Sequence, residues 1–276
     1  MARGVGSDGG SAVTPPPDGI YRSVLADDYF GWDAVSNSVL SRFARFPALA
    51  HVPMPDAPNL ALGRAVHCAI LEPGKFYASY RLLGGARPTK TEKAVLAENG
   101  AIGLSPDSFH EIRAMTESVR RHFSAALLLS EGEAEVSLIW TDEETGLRCK
   151  ARVDWLGEIA AVDIKTTKDA SPAGFAKAVA NYRYHVQQAH YLAGCAALGL
   201  PASDFVFVAV EKAEPYPVAC YQLSDAAEGV GYRLWRRDLT AFATCQKADR
   251  WPAYSDEIEI LNLPAWALNE ESANEY

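Results

Sequence analysis

Apolar and charged residues alternate most regularly from Ala161 to Lys165, where the sequence reads Ala-Val-Asp-Ile-Lys. A period of two is typical of a half-buried strand, so we expect Asp163 and Lys165 to project from one strand face. Val162 and Ile164 would then pack behind them. Two opposite charges would lie about 7 Å apart along the same face.

The preceding run, Leu147 to Leu156, also alternates, and Gly157-Glu158 is typical of a turn. An antiparallel pairing of the two runs would bring Asp154 beside Asp163. Two carboxylates and a lysine at one place can hold a hard divalent cation and set an ammonium beside a phosphate oxygen or a water. The spacing is also compatible with an Asp and a Lys that merely pair at a solvated strand end.

The chain in front of these strands has mostly helical patterns. Ser36 is a helix cap, and the helix that follows would end at Pro47. Ser105-Pro106-Asp107 starts another helix, which we expect to run to about Leu129. The other elements predicted here are a helix from Leu60 that Pro73 stops, a helix over Glu92 to Asn99, and a short strand over Phe76 to Leu83.

The remaining chain mixes strands and helices. The predicted strands are Glu135 to Thr141, Asp204 to Glu211 and Val218 to Leu223, and the predicted helices are Pro172 to Ala180, His185 to Leu198 and Ala226 to Ala248. With the two strands that hold Asp154 and Asp163, the order is β-β-β-α-α-β-β-α. This order predicts an α/β or α+β domain with a mixed sheet.

Residues 1–19 are rich in Gly, Ser and Pro and are expected to form a disordered tail. Residues 20–276 would form a single domain, with a helical front part at about 36–130, a core at about 131–248 and a C-terminal extension at 249–276.

Composition narrows the class of protein. The 276 residues are 49% hydrophobic, which is enough to bury a full core. Neither an apolar run near the ~20 residues of a membrane span nor a secretory signal pattern is present, so we expect a cytoplasmic protein without a membrane partner. The five cysteines are scattered, without a spacing suited to zinc or a disulfide frame.

The net charge of −9 argues against a protein that coats nucleic acid through bulk electrostatics, although a local basic lining remains possible. Arginines on a helix face could meet phosphate, or they could merely solvate that face. The candidates for a basic lining are Arg42, Arg45, Arg64, Lys90, Lys93, Arg120 and Arg121.

Two helices carry further candidates. His67 lies in the apolar helix that begins at Leu60, with Arg64 three positions earlier on the same face. A lone histidine there is more often a hydrogen-bonded core residue than a ligand. Gln187 and Tyr191 are four positions apart, so an amide and a phenol share a helix face, although such pairs also occur by chance.

These residues, in this order, resemble the PD-(D/E)XK nuclease superfamily, and within it the RecE-like (exonuclease VIII) branch of phages and prophages. The resemblance covers roughly Ser36 to Trp266. Its principal motifs are Val153-Asp154, Asp163-Ile164-Lys165-Thr166-Thr167 and Gln187-x-x-x-Tyr191. Supporting matches are Leu62-Gly63-x-Ala65-x-His67 with Leu71-Glu72-Pro73, Gly132-Glu133-Ala134-Glu135-Val136-Ser137, and Leu261-Asn262-Leu263-Pro264-x-Trp266.

The resemblance implies a restriction-endonuclease-like core, a mixed central β-sheet flanked by helices, with an N-terminal helical elaboration. It implies that Asp154 and Asp163 bind Mg²⁺ or Mn²⁺ and that the Ile164 carbonyl is a further ligand. His67 matches a histidine that approaches the metal, and Lys165 a lysine that positions the attacking water.

By the same resemblance, Gln187 and Tyr191 orient the DNA strand, and Arg42, Arg45 and Arg64 are candidates for DNA contacts. Glu135 is a candidate for a contribution at a distance. Val153 stands where the name of the motif has proline, which leaves the ligand position Asp154 in place.

The function expected from the resemblance is a metal-dependent exonuclease on double-stranded DNA that resects 5′ to 3′ for single-strand-annealing recombination. The alternatives are a structure-specific endonuclease on the same core and a DNA-binding or assembly protein that does not cut. The expected partners are DNA ends, identical chains in a closed ring of three or four, and a single-strand annealing protein.

Overall fold

The computed structural model describes residues 13–52, 58–158, 160–255, 257–264 and Ala267. Helices in these ranges are α1 (Ala26–Gly31), α2 (Asn37–Phe43), α3 (Pro58–Leu71), α4 (Pro73–Ser79), α5 (Lys90–Glu98), α6 (Pro106–Arg121), α7 (Phe123–Leu128), α8 (Pro172–Asn181), α9 (Tyr184–Ala197) and α10 (Asp225–Ala248), with a 3-10 helix at Pro47–His51. Strands are β1 (Gly19–Tyr21), β2 (Val35–Ser36), β3 (Tyr80–Leu82), β4 (Ile102–Leu104), β5 (Glu133–Thr141), β6 (Arg148–Leu156), β7 (Ala160–Thr167), β8 (Asp204–Glu211) and β9 (Val218–Tyr221).

A mixed seven-stranded sheet forms the centre of the protein, which confirms the predicted fold class. Its order is β1-β5-β6-β7-β8-β9, and β2 pairs with β6. Strands β5, β6 and β7 form an antiparallel meander. Strand β8 is parallel to β7, and the connection between them passes through α8 and α9. A parallel neighbour requires such a crossover.

Helices cover both faces of the sheet. On one face, α2, α8, α9 and α10 enclose a core that contains Trp140 and Trp235. On the other face, α3 and α6 pack over Ile164 and Val208, and Met115 of α6 is fully buried there. Strand β7 therefore has a helical layer on each side. None of the described helices is long and apolar enough to cross a membrane.

Most of the predicted elements are confirmed, but the strand predicted over Phe76 to Leu83 is wrong. Residues Pro73–Ser79 are helical, and only Tyr80–Leu82 is a strand. Proline at the first helical position is pre-organised for a helix. Phe76 and Tyr80, four positions apart, then stack with ring centroids 5.1 Å from each other.

The helix expected from Ser105 to about Leu129 is interrupted at His122. This residue has an extended backbone (φ −72°, ψ 117°) and separates α6 from α7. Its Nδ1 accepts a hydrogen bond of 3.3 Å from the Ala125 amide, so His122 caps the second helix. Helix α2 likewise ends at Phe43, earlier than expected.

Part of the predicted disordered tail is ordered. Val13 forms a β-bridge with Trp32, and the Asp18 carboxylate accepts a 2.9 Å hydrogen bond from the Thr141 amide. The tail prediction is therefore wrong for residues 13–19, and residues 1–12 lie outside the described part.

In the predicted C-terminal extension, Trp251 packs against Phe242. The Trp266 end of the last supporting motif also lies outside the described residues.

Glycine at position 231 allows α10 to contact the first turn of α9. A Cβ added to Gly231 would overlap the backbone carbonyl of His185. We expect Gly231→Ala to lower the free energy of unfolding by about 1–3 kcal/mol, because backbone atoms must shift to admit the methyl group. Denaturation in urea measures this change.

A control for this substitution lies one half-turn earlier on the same helix. The nearest neighbour of a Cβ at Gly229 is the flexible end of Arg233, at 3.3 Å. Gly229→Ala should leave stability unchanged or raise it by up to about 1 kcal/mol, since alanine favours helix. Equal effects of the two substitutions would contradict a specific contact at Gly231.

Candidate active site

Asp163 and Lys165 form an ion pair on β7. The Lys165 Nζ lies 2.6 Å from Asp163 Oδ2, and Asp163 is only 2% exposed. Val162 and Ile164 point to the opposite face and belong to the core under α3 and α6. The two charged side chains therefore share a face, as the alternation predicts.

Asp154 reaches the same place from β6. The antiparallel register pairs Trp155 with Val162, so Asp154 lies across from Asp163. Its Oδ2 accepts a 2.8 Å hydrogen bond from the Ile164 amide. The pairing predicted from the two alternating runs is thus confirmed.

His67 approaches the two strands from α3. Its Nδ1 lies 3.2 Å from Asp154 Oδ2, and the imidazole also hydrogen-bonds the backbone of Ile164. The side chain is one-quarter exposed. His67, which the helix pattern alone favours as a core residue, therefore contacts Asp154 and Ile164 directly.

Gln187 of α9 joins the two members of the ion pair. Its Nε2 donates to Asp163 Oδ1 at 2.5 Å, and its Oε1 accepts from Lys165 Nζ at 3.0 Å. Tyr191, one turn later, hydrogen-bonds Gln187. In this structure the Gln187 amide holds the charged pair together, and its orientation toward a DNA strand remains a prediction.

Tyr184 is a member of the site that the motifs did not identify. Its ring centroid lies 4.5 Å from Lys165 Nζ, a distance suited to a cation–π contact. Tyr184 precedes Gln187 by three residues and Tyr191 by seven, so all three share one face of α9. This spacing in the sequence could have identified Tyr184 as a member of the site.

Glu135 of β5 lies opposite Asp154 and interrupts the regular ladder. The β5–β6 register pairs Ala134 with Trp155 and Val136 with Val153, but leaves Glu135 and Asp154 unpaired between them. Glu135 has a left-handed backbone (φ 52°), which is rare for a residue with a side chain. The register is the same on both sides of this gap, so Glu135 and Asp154 still lie opposite each other on the two strands.

The Glu135 carboxyl belongs to the electrostatic surroundings of the site. Burial, and then the charge of Asp154, raises its pKa to about 7. The Arg152 Nε lies 3.9 Å from Glu135 Oε2. Glu135 therefore interacts electrostatically with Asp154, and its contribution to the site stays a prediction.

The other groups of the site have perturbed pKa values. Burial, and then Asp163, raises the pKa of Asp154 to about 8. Burial lowers the pKa of Lys165, but Asp163 and Asp154 outweigh it and leave that pKa above its ordinary value. Burial lowers the pKa of His67. At neutral pH the lysine is charged, the histidine is neutral and the Asp154 carboxyl is mostly protonated, and the Lys165 ammonium pairs with Asp163.

The donors fit a hard divalent cation. Carboxylates from two strands, the Ile164 carbonyl and a neutral imidazole are ligand types that Mg²⁺ or Mn²⁺ accepts. Among the described residues, no three His, Cys, Asp or Glu side chains already surround one point as a ligand set. Both oxygens of Asp163 contact Lys165 or Gln187 in this arrangement.

The predicted basic residues divide into two groups. Arg42 donates to the carbonyls of Leu49 and Ala50 at 3.2 and 3.5 Å, and Arg120 donates to the Ala69 carbonyl at 3.1 Å. These two guanidinium groups support the ends of neighbouring helices. The other members of the predicted lining, Arg45, Arg64, Lys90, Lys93 and Arg121, are exposed.

Comparisons with known proteins agree with this fold. The family described as PDDEXK-like domain of unknown function (DUF3799) matches residues 49–264. A crystal structure from Eubacterium rectale, described as a "Putative exonuclease", is 13% identical and aligns over 91% of this chain and 99% of its own, with a TM-score of 0.61. The crystal structure of SSO0001 is also 13% identical, over 79% of each chain, but its TM-score of 0.31 is too low to indicate a shared fold. The search of curated proteins finds no match.

Proposed function

Since the chain belongs to the PDDEXK-like family DUF3799, we propose that it is a metal-dependent nuclease that degrades double-stranded DNA from its ends. The observation that carries the proposal is the convergence of Asp154, Asp163 and Lys165 on two adjacent strands. An acidic pair with a lysine on one strand face suits phosphodiester hydrolysis, in which negative charge develops on a phosphate.

Each residue then has a role that its position supports. Asp154, Asp163 and the Ile164 carbonyl would hold the cation, and His67 would complete or orient that ligand set. A bound divalent cation supplies Lewis acidity and lowers the pKa of a bound water. Lys165, kept protonated by its carboxylate neighbours, would stabilise charge on the phosphate oxygens and orient the attacking water.

The preference for DNA ends and for 5′ to 3′ degradation rests on the RecE-like motifs. Recombination by strand annealing would use the single-stranded tail that such an enzyme leaves, and an annealing protein would be its partner. We also propose a closed ring of three or four chains. A protein with a net charge of −9 is repelled by DNA. In a ring, the exposed basic residues of all subunits would line one central channel.

Titration of Mg²⁺ and Mn²⁺ against linear and circular duplexes tests the proposal. We expect cation-dependent loss of linear DNA, with closed circles left intact. Labels on the 5′ or the 3′ end report the polarity. Cutting of circles would favour the structure-specific endonuclease, and binding without cutting would favour the assembly protein.

A further inference from the structure

Tyr182 and Arg183 connect α8 to α9, and Arg183 has an unusual backbone conformation. Arg183 has φ 59° and ψ 37°, the left-handed region that residues with a side chain rarely occupy. Its guanidinium pairs with Asp238 of α10, which is 3% exposed. Strained backbone persists where the surroundings enforce it, and it is frequent at functional sites.

This link places two tyrosine rings against each other beside Lys165. Tyr182 stacks on Tyr184 with a centroid distance of 5.6 Å and an interplanar angle of 27°. Tyr184 contacts the Lys165 ammonium and also stacks on Phe207, which is fully buried. The series of rings therefore starts in the core, passes the lysine and ends in solvent.

Tyr182 is the outer ring of the series and is 67% exposed. An exposed aromatic ring can offer a face to another flat apolar surface, and the Tyr182 ring also rests on its neighbour Tyr184. A ring that rests on a neighbour loses less conformational entropy on binding than a ring that rotates freely. Nucleobases are flat and aromatic, and each base can stack on tyrosine whatever its sequence.

We propose, on the basis of the nuclease function above, that Tyr182 binds an unpaired nucleobase of the DNA strand whose phosphodiester lies at Lys165. Tyr184 is a positioning residue, because it holds the ammonium and supports the Tyr182 ring. Stacking also suits an acidic protein, since it requires no additional basic residues to retain the strand.

The first test compares steady-state kinetics of Tyr182→Ala, Tyr182→Phe and wild type on duplexes with short single-stranded ends. We expect Tyr182→Ala to raise KM about 10- to 100-fold, with kcat changed much less, because the lost contact binds substrate rather than promoting reaction. Tyr182→Phe keeps the ring and should restore KM.

Tyr254→Ala is the matched control, because Tyr254 is also exposed (73%) and also rests on another ring, Phe46. It should behave as wild type. Thermal unfolding of each variant verifies that the fold is retained.

The second test observes the stacking itself without hydrolysis. A terminal 2-aminopurine in the overhang is measured with each protein in the presence of EDTA. We expect wild type and Tyr182→Phe to quench its fluorescence through stacking, and Tyr182→Ala to quench it much less. Wild-type KM and wild-type quenching in Tyr182→Ala would overturn the stacking site while leaving the nuclease intact. A wild-type protein that degrades no DNA with either cation would overturn the nuclease function, and the stacking site with it.

Discussion

Asp163→Asn is expected to lower the rate of DNA hydrolysis by about three orders of magnitude or more at saturating Mg²⁺. Asparagine keeps the shape of the side chain but removes the charge that a cation requires. Its single oxygen can accept from either the Gln187 amide or the Lys165 ammonium, because the other carboxylate oxygen is replaced by an NH2 donor. Metal ions contribute several kcal/mol to stabilising the transition state, and each 1.36 kcal/mol is worth about tenfold in rate. Single-turnover assays on end-labelled duplex measure the loss.

The unfolding temperature gives a second readout that does not depend on activity. Mg²⁺ should raise the melting temperature of the wild type and raise that of Asp163→Asn far less, because a ligand stabilises only the state that binds it. Asp169→Asn is a suitable control, since Asp169 is an exposed carboxylate that bonds its own loop at Ser171. Near-normal cleavage by Asp163→Asn would remove Asp163 from the metal site.

Asp163→Ala differs from Asp163→Asn in its effect on folding. If repulsion between the carboxylates were the only effect, its relief would leave the alanine variant as stable as the wild type or slightly more stable. However, Asp163 pairs with Lys165 at 2.6 Å, and removal of the carboxylate leaves a largely buried ammonium with fewer partners. We expect a loss of about 1–3 kcal/mol in the metal-free protein.

Lys165→Met is expected to lower kcat about 100- to 1000-fold while cation and DNA binding are retained. Methionine fills a similar volume but removes the ammonium that stabilises charge on the phosphate. The affinity for Mg²⁺ should stay level or rise, because the Lys165 ammonium contacts Asp163 Oδ2, an oxygen that a cation would use. Calorimetry with Mg²⁺, beside kinetics, separates binding from turnover.

Lys165→Arg is the companion variant because it keeps the positive charge. Its longer, planar group would not reproduce the 3.0 Å contact of Nζ with Gln187, so partial activity is expected. Loss of Mg²⁺ affinity together with activity in Lys165→Met would mean that the lysine shapes the metal site rather than serving the chemistry.

The features predicted best from sequence are those fixed by local pattern. Alternation in β6 and β7 determined which side chains face each other, because a shift of the strand register by one residue would turn the apolar side chains toward the other face of the sheet. The pairing of Asp154 with Asp163 followed from that register. Position in the chain did not reveal what His67 contacts, because its distance from Asp154 depends on how α3 packs across β7.

Other features were hidden because they arise from long-range contacts. Lys150 is 5% exposed, and it donates to the carbonyls of Tyr29 and Trp32 at the end of α1. Nothing in the alternation of β6 indicates a buried lysine there. The break in the ladder at Glu135 is similarly invisible, since the surrounding residues continue to alternate as in a regular strand.

Strand β7 lies between β6 and β8 and is enclosed by helices on both faces. Its amides can exchange with solvent hydrogen only when the whole sheet opens, so the backbone carrying Asp163 shares the global free energy of unfolding. Tyr182 lies at the exposed end of α8, where local opening of the backbone costs much less free energy. In the proposed nuclease, such local fluctuations would let a DNA strand enter and leave at Tyr182 while Asp163 and Lys165 keep their positions from one cleavage event to the next.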